Sequence, residues 1–208
     1  MKPGSYIAIE GPIGVGKSTL AAALAQSFAA AVLAEAPEDN PFLGDFYANP
    51  RGHALQAQLF FLLQRSHQID RLRQRDLFDS GCVADFMFDK DSLFAELTLT
   101  AAELTLYRDI HARVAWRAPV PDCVIYLHAP VDLLMQRIEQ RARASERNLD
   151  AAYLARVTQA YADFFRAYDA TRVIRVDAQR LDLVNRPADY ARLLAAIDCG
   201  RRRIELPA

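Results

Sequence analysis

The run Gly11-Pro12-Ile13-Gly14-Val15-Gly16-Lys17-Ser18 constrains this chain more than any other feature, because it matches G-x-x-x-x-G-K-[ST]. Glycines let successive backbone N–H groups turn inward around phosphate oxygens. A lysine at the seventh position reaches the β- and γ-phosphates, and the following hydroxyl meets Mg²⁺. The pattern carries that meaning only between a strand and a helix. Tyr6–Glu10 (YIAIE) supplies a short apolar strand before it, and the Ala- and Leu-rich stretch from Ser18 to Ala30 supplies a helix after it. The helix N-terminus adds a positive end to the phosphate site. The expected nucleotide-binding residues are therefore Gly11, Pro12, Ile13, Gly14, Val15, Gly16, Lys17, Ser18 and Thr19.

The rest of the chain alternates short apolar runs with helical patterning. Ala31–Leu33, Cys82–Ala84, Cys123–Leu127 and Val173–Val176 read as strands. Helices are expected from Pro50 to about Asp79, from Leu93 to Trp116 in two pieces around Thr98–Thr100, from Val131 to Arg141, from Ala151 to Tyr168, and near Ala188–Ile197. Asn40-Pro41 breaks the chain and can open a helix. Gly200 is a plausible stop, with Arg201–Ala208 a polar tail. Strands alternating with helices imply an α/β three-layer fold, a five-stranded parallel sheet with helices on both faces. No composition break divides the 208 residues, so one domain is expected over 1–208.

Composition narrows the function. A formal net charge of −1 argues against a binder of polymeric nucleic acid, which is strongly basic as a rule. Cys82, Cys123 and Cys199 form no CxxC pair, which suits reduced thiols in a reducing compartment. The first residues lack the basic-then-apolar design of a secretory signal, and no apolar run approaches membrane-spanning length, so a cytoplasmic setting is expected. His53, His67, His111 and His128 share no ligand spacing. A guanine-reading N-K-x-D motif is absent from the sequence, which leaves a small-molecule kinase as the best fit to a small P-loop chain.

Candidate partners for the loop follow from position. Glu35 lies just past the second strand, at the carboxyl edge of a parallel sheet, where a carboxylate can take a proton from an attacking hydroxyl. Glu38 and Asp39 compete for that role. Gln58 and Arg65 are seven residues apart, two helical turns, and share a face of the long helix. A side-chain amide offers a donor and an acceptor together, as a nucleobase edge requires. Gln56 and Gln64 are alternatives. Arg137 and Arg141 are i,i+4 neighbours, and Arg143 joins them if the chain bends there. Such guanidinium groups can spread over the oxygens of a phosphoryl group in transit, although a solvated basic face has the same pattern.

Six segments in order, IEGPIGVGKSTL, EAPEDNPFLGDFY, LQAQLFFLLQR, DKDSLFA, PDCVIYL and RIEQRARASE, resemble the deoxyribonucleoside kinase family, and its bacterial deoxyadenosine/deoxyguanosine branch most of all. The resemblance spans about Tyr6 to Asp177. It implies ATP with Mg²⁺, a deoxyribonucleoside acceptor phosphorylated at its 5′-hydroxyl, a purine preference and a homodimer. It implies Glu35 as general base, Gln58 on the base with Arg65 nearby, Tyr47 on the sugar 3′-hydroxyl, Phe94 beside the acceptor, and a lid over about 137–149 with Glu146 approaching the sugar. By itself Tyr47 reads equally well as a half-buried aromatic.

This chain departs from the family at two places. It has Glu35-Ala36-Pro37 where Glu-Pro is usual. After the third strand the family carries Glu-Arg-Ser or Asp-Arg-Ser, while this chain reads Ala84-Asp85-Phe86-Met87-Phe88-Asp89-Lys90-Asp91. Asp85 can supply the metal-supporting acid, and Lys90 can replace the missing arginine as a point charge rather than a fork. Asp89-Lys90-Asp91 also reads as a capped, charged helix start. A nucleoside monophosphate kinase and a non-catalytic ATP-binding subunit are the alternative functions.

Overall fold

The computed structural model describes residues 5–74, 81–114 and 119–206. The expected helix ends at 75–79 and 115–116, and the stop at Ser80, lie outside the described residues. Strands β1 (Tyr6–Glu10), β2 (Ala31–Leu33), β3 (Cys82–Ala84), β4 (Cys123–His128), β5 (Arg172–Asp177) and β6 (Arg203–Leu206) form one sheet in the order β2-β3-β1-β4-β5-β6. Every pairing is parallel. Strands buried on both faces read as unbroken apolar runs rather than alternating ones. Accordingly Ile7, Ala8, Ile9, Val83, Val124, Ile125 and Ile174 are almost inaccessible to solvent.

The sheet has six strands where five were expected. The correction falls on the presumed polar tail. Arg203-Ile204-Glu205-Leu206 alternates, so Ile204 and Leu206 pack toward the core while Arg203 and Glu205 face water. The segment pairs with β5 from Val173↔Arg203 to Val176↔Leu206. A four-residue alternation behind three arginines is too short to outweigh its charge when read alone.

Helices α1 (Lys17–Phe28), α2 (Leu43–Ala48), α3 (Pro50–Gln74), α4 (Lys90–Thr98), α5 (Ala101–Val114), α6 (Val131–Arg141), α7 (Ala151–Ala167) and α8 (Pro187–Asp198) flank the sheet. Helix α1 buries Leu20, Ala21, Leu24 and Ala25. It ends in a left-handed Ala29 (φ 50°), with Ala30 N–H donating to Ala25 and Ala29 N–H to Gln26, a Schellman closure. Helix α7 begins where the Asp150 side chain accepts the Tyr153 N–H at 2.7 Å. All strands being parallel, their carboxyl ends share one edge. The loops after β1, β2, β3 and β5 meet there.

Candidate active site

The phosphate loop is shaped by two different demands. At Gly11 (φ 147°) a Cβ would lie 2.2 Å from the Leu127 carbonyl oxygen. At Gly14 (φ 84°) it would meet Ile138 Cγ1 and the Leu134 oxygen at 2.9 Å, so α6 packs directly on the loop backbone. Gly14 lies at a position the motif leaves free, and only the packing reveals why it is glycine. Lys17 Nζ donates to the carbonyls of Gly11 at 2.8 Å and Pro12 at 3.3 Å. Burial and the nearby Lys90 ammonium both push the Lys17 amine below its ordinary value.

Asp85 ends β3 and ties two further pieces together. It accepts the Ser18 hydroxyl through Oδ2 and the Glu35 N–H at 2.7 Å through Oδ1. The Ser18 hydroxyl and the Asp85 carboxylate thus stand side by side at the loop, both lining one cavity. Two hard oxygen donors suit Mg²⁺, which keeps most of its shell for water and substrate phosphates. Among the described residues no group of three or more His, Cys, Asp or Glu side chains forms a metal cage.

That cavity, of about 250 Å³, brings together nearly all the residues expected from sequence. It is lined by Ile13, Gly14, Gly16, Lys17, Ser18 and Thr19 of the loop, then Glu35, Tyr47, Gln58, Phe61, Arg65, Asp85, Lys90, Phe94, Arg141, Arg143 and Glu146. The rivals separate. Glu38 and Asp39 lie on a 3₁₀ turn (Pro37–Asp39), Glu38 exposed and 3.6 Å from Arg143 Nη1. Gln56 is exposed, and Gln64 Nε2 is spent on the Ala36 carbonyl at 3.2 Å. Gln58 is 3% exposed on the inner face of α3.

Glu35 sits in a web of charge. Its Oε1 accepts from Arg65 Nη1 and from Lys90 Nζ at 2.8 Å. Burial pushes its carboxyl up, but Lys90, Arg65 and Lys17 outweigh this and hold it at about 2. Arg65 is 2% exposed and is gripped on its other side by the buried Asp91. Burial raises Asp91 to about 6 against the opposing pull of Arg65. Phe61 stacks under the Arg65 guanidinium, 5.1 Å from ring centroid to Cζ. The backbone carrying Glu35 is clamped as well: Gln68 Nε2 donates to Ala34 at 2.7 Å, and Ala36 is left-handed (φ 50°, ψ 62°) before Pro37. The extra residue between Glu35 and the proline is therefore absorbed by a turn that keeps the carboxylate in the cavity.

Lys90 does begin α4, with Asp89 in the cap position, but no side-chain cap bond forms. The segment is not a solvated helix start. Lys90 and Asp91 are turned inward, 3% and 0% exposed. Phe86 occupies the place after Asp85 where the family's arginine is expected, and the Lys90 ammonium lies 5.9 Å from its ring centroid.

Arg137, Arg141 and Arg143 are spread over two cavities, with Arg141 lining both. Arg141 and Arg143 line the first, with Arg141 Nε donating to Glu146 Oε2 at 3.0 Å. Arg137 instead donates to the carbonyls of Val15 at 3.3 Å and Ala178 at 3.0 Å. It lines a second cavity of about 540 Å³, between the phosphate loop, α6 and the segment 178–186. Helical spacing put Arg137 and Arg141 on one face, and they do meet at the second cavity; Arg141 also reaches the first, where Arg143 joins it past the bend.

Sequence reasoning missed Glu10, Asp91, Tyr153, Tyr161 and the 178–186 segment. An acid closing an otherwise apolar strand directly before the glycine loop was a usable signal for Glu10. The loop following the clear strand β5 was likewise a usable signal, since ligands of parallel sheets gather beyond strand carboxyl ends.

Known proteins resemble this chain. The chain is 34% identical over 202 residues to a deoxyguanosine kinase of Bacillus subtilis, covering 95% of this chain and 98% of that protein. It is 27% identical over 212 residues to a deoxyadenosine kinase of Lactobacillus acidophilus, covering 95% and 97%. The fold superposes on the deoxyadenosine kinase of M. mycoides, whose structure holds dCMP and a flexible dCDP, with a TM-score of 0.81 at 23% identity, covering 93% of this chain and 99% of that one. The family model described as deoxynucleoside kinase matches residues 7–199, and the chain belongs to that family.

Proposed function

We propose that this chain is an ATP-dependent deoxyribonucleoside kinase that phosphorylates the 5′-hydroxyl and prefers purine nucleosides. One observation carries this: a single cavity joins the phosphate loop to Glu35 and to the inner face of α3. The triphosphate lies on the amides between Gly11 and Thr19, with Lys17 on its β- and γ-phosphates. Ser18 and Asp85 would hold Mg²⁺, which would supply charge neutralisation for the transferring group. The donor's base and ribose extend into the second cavity beside Arg137 and residues 178–186. The nucleoside lies along α3, its base edge toward Gln58 and Arg65, its sugar between Tyr47, Phe94 and Glu146.

In the reaction the acceptor O5′ bonds to the γ-phosphorus as the bond to the β,γ-bridging oxygen breaks. ADP leaves and Glu35 receives the hydroxyl proton. A carboxyl held at about 2 is a weak base. It suffices where the transition state is loose and the proton leaves late. Arg141, Arg143 and Lys90 face the oxygens of the transferring group, and the lid over about 137–149 excludes water as a competing acceptor. A single domain, cytoplasmic setting and homodimeric assembly belong to the same proposal; Leu63 on α3 and Leu106 on α5 expose the apolar surface that assembly would cover.

A monophosphate acceptor fits less well, since its phosphate needs uncommitted cations. Lys90, Arg141 and Arg143 are already taken by the transferring group, and Arg65 is paired to Glu35 and Asp91. The test is nucleoside-dependent ADP release with Mg·ATP across deoxyribonucleosides, ribonucleosides and monophosphates. Turnover with deoxyguanosine and deoxyadenosine is expected. Turnover with monophosphates alone, or with no acceptor, refutes the assignment.

A further inference from the structure

Glu10 is a fully buried acid beside the site that the reaction above leaves without work. It ends β1, one residue before the phosphate loop, and is 0% exposed. Its carboxylate is the meeting point of four elements. Oε2 accepts the Gly11 N–H at 3.2 Å and the Tyr161 hydroxyl of α7 at 2.9 Å. Oε1 accepts the Met87 N–H at 2.7 Å and lies 3.6 Å from the Lys90 ammonium at the start of α4.

An isolated buried carboxylate is costly, so it persists where its partners require it. Three of the four partners need no carboxylate. A backbone N–H or a phenol is satisfied by any carbonyl or water. The fourth is a cation in the cavity, the Lys90 ammonium, which also meets Glu35. A guanidinium is a rigid fork, whereas an ammonium is a point charge on a flexible stem with three rotatable donors. Left with Glu35 alone, 2.8 Å away, the ammonium can swing about that carboxylate and settle wherever attraction is greatest. A second carboxylate within 3.6 Å restricts that freedom, and the Phe86 ring, 5.9 Å away at its centroid, restricts it further.

We propose that Glu10 is a positioning residue for phosphoryl transfer: it anchors the Lys90 ammonium between the end of β1 and Glu35, so that a point charge on a flexible stem keeps one fixed placement. This rests on the kinase assignment above. Because Glu10 touches Lys90 rather than substrate, its loss acts on kcat through Lys90 and leaves nucleotide affinity in place. Mispositioning a catalytic group by about 1 Å costs on the order of 100-fold in rate.

The experiment is a double-mutant cycle of Glu10→Gln and Lys90→Met. It measures kcat, KM for ATP and KM for the nucleoside, at enzyme concentrations that resolve slow turnover. Glu10→Gln is expected to lower kcat by roughly 10–100-fold in the Lys90 protein, with KM for ATP changed less than about threefold. In the Lys90→Met protein the same change is expected to do almost nothing. An equal fall in both backgrounds, or no fall in either, overturns the proposal, because Glu10 then acts apart from Lys90 or not at all. If Glu10→Gln does not fold, Tyr161→Phe replaces it, since that loosens the carboxylate without removing its charge. Its kcat loss must likewise vanish in Lys90→Met, and a loss that stays equal overturns the proposal. Absence of nucleoside-dependent ADP release by the unaltered protein strikes the kinase assignment and this inference together. Results in the variants of an active parent bear on Glu10 alone.

Discussion

Replacing Glu35 by Gln keeps the side chain's size and removes its charge, and the surroundings set the consequence. The side chain is 16% exposed and bridges Arg65 and Lys90, which hold its carboxyl at about 2 against an ordinary 4.5. At about 1.4 kcal/mol per pH unit, this difference is worth about 3 kcal/mol of stability at neutral pH. Because the folded-state value is depressed, the contribution is complete above 4.5 and is lost as pH falls through 2. Glutamine has no such contribution. The gap between the two proteins, measured by urea unfolding, should therefore be flat from pH 7 to pH 5 and shrink to about 2 kcal/mol by pH 3.5. For a chain of this length the neutral-pH loss lowers Tm by about 6–12 °C. Turnover should fall about 10²–10⁴-fold, the usual worth of a positioned proton acceptor, with ATP affinity nearly unchanged. A stability gap that does not change between pH 7 and pH 3.5 refutes the electrostatic account of Glu35. Near-normal turnover refutes its role as base.

Three further outcomes follow from the loop and its neighbours. Gly14→Ala forces a Cβ to within 2.9 Å of Ile138 Cγ1 and the Leu134 oxygen and should cost about 2 kcal/mol or more. Gly16→Ala meets nothing within 4 Å and should cost only its backbone strain, about 1–2 kcal/mol; thermal unfolding reads both, and a larger loss at Gly16 would falsify the packing role of Gly14. Ala29→Gly and Ala36→Gly each relieve a left-handed alanine at φ 50° and should raise stability by about 0.5–1 kcal/mol, read as urea midpoint at constant m-value. Chelating divalent metal with excess EDTA should abolish turnover while leaving Tm within a degree or so, because the proposed Mg²⁺ would rest on Ser18, Asp85 and substrate phosphates; a large fall in Tm speaks for a structural ion instead.

Much of this protein is determined locally. The apolar runs YIAIE and CVIYL must be buried strands, because a parallel sheet covered on both faces admits no polar alternation. The phosphate loop, Ser18 and Lys17 follow from a spacing that only one backbone geometry satisfies. Glu35, Gln58 and Arg65 were reachable because the strand edge and the two-turn helical spacing convert sequence position into direction. Tertiary structure decided what depends on a partner from elsewhere in the chain. The last strand exists because β5 offers an open edge to Arg203–Leu206. Gly14 is glycine because α6 rests on it. Arg137 lines the second cavity and not the first because Val15 and Ala178 present carbonyls to it. Glu10 read as an ordinary strand end and Asp91 as part of a charged helix start, while Lys90 also read as a candidate cation of the site. They became a buried charge network only when β1, α3, α4 and α7 closed around them. Charge belongs to a residue, but what neutralises it belongs to the fold.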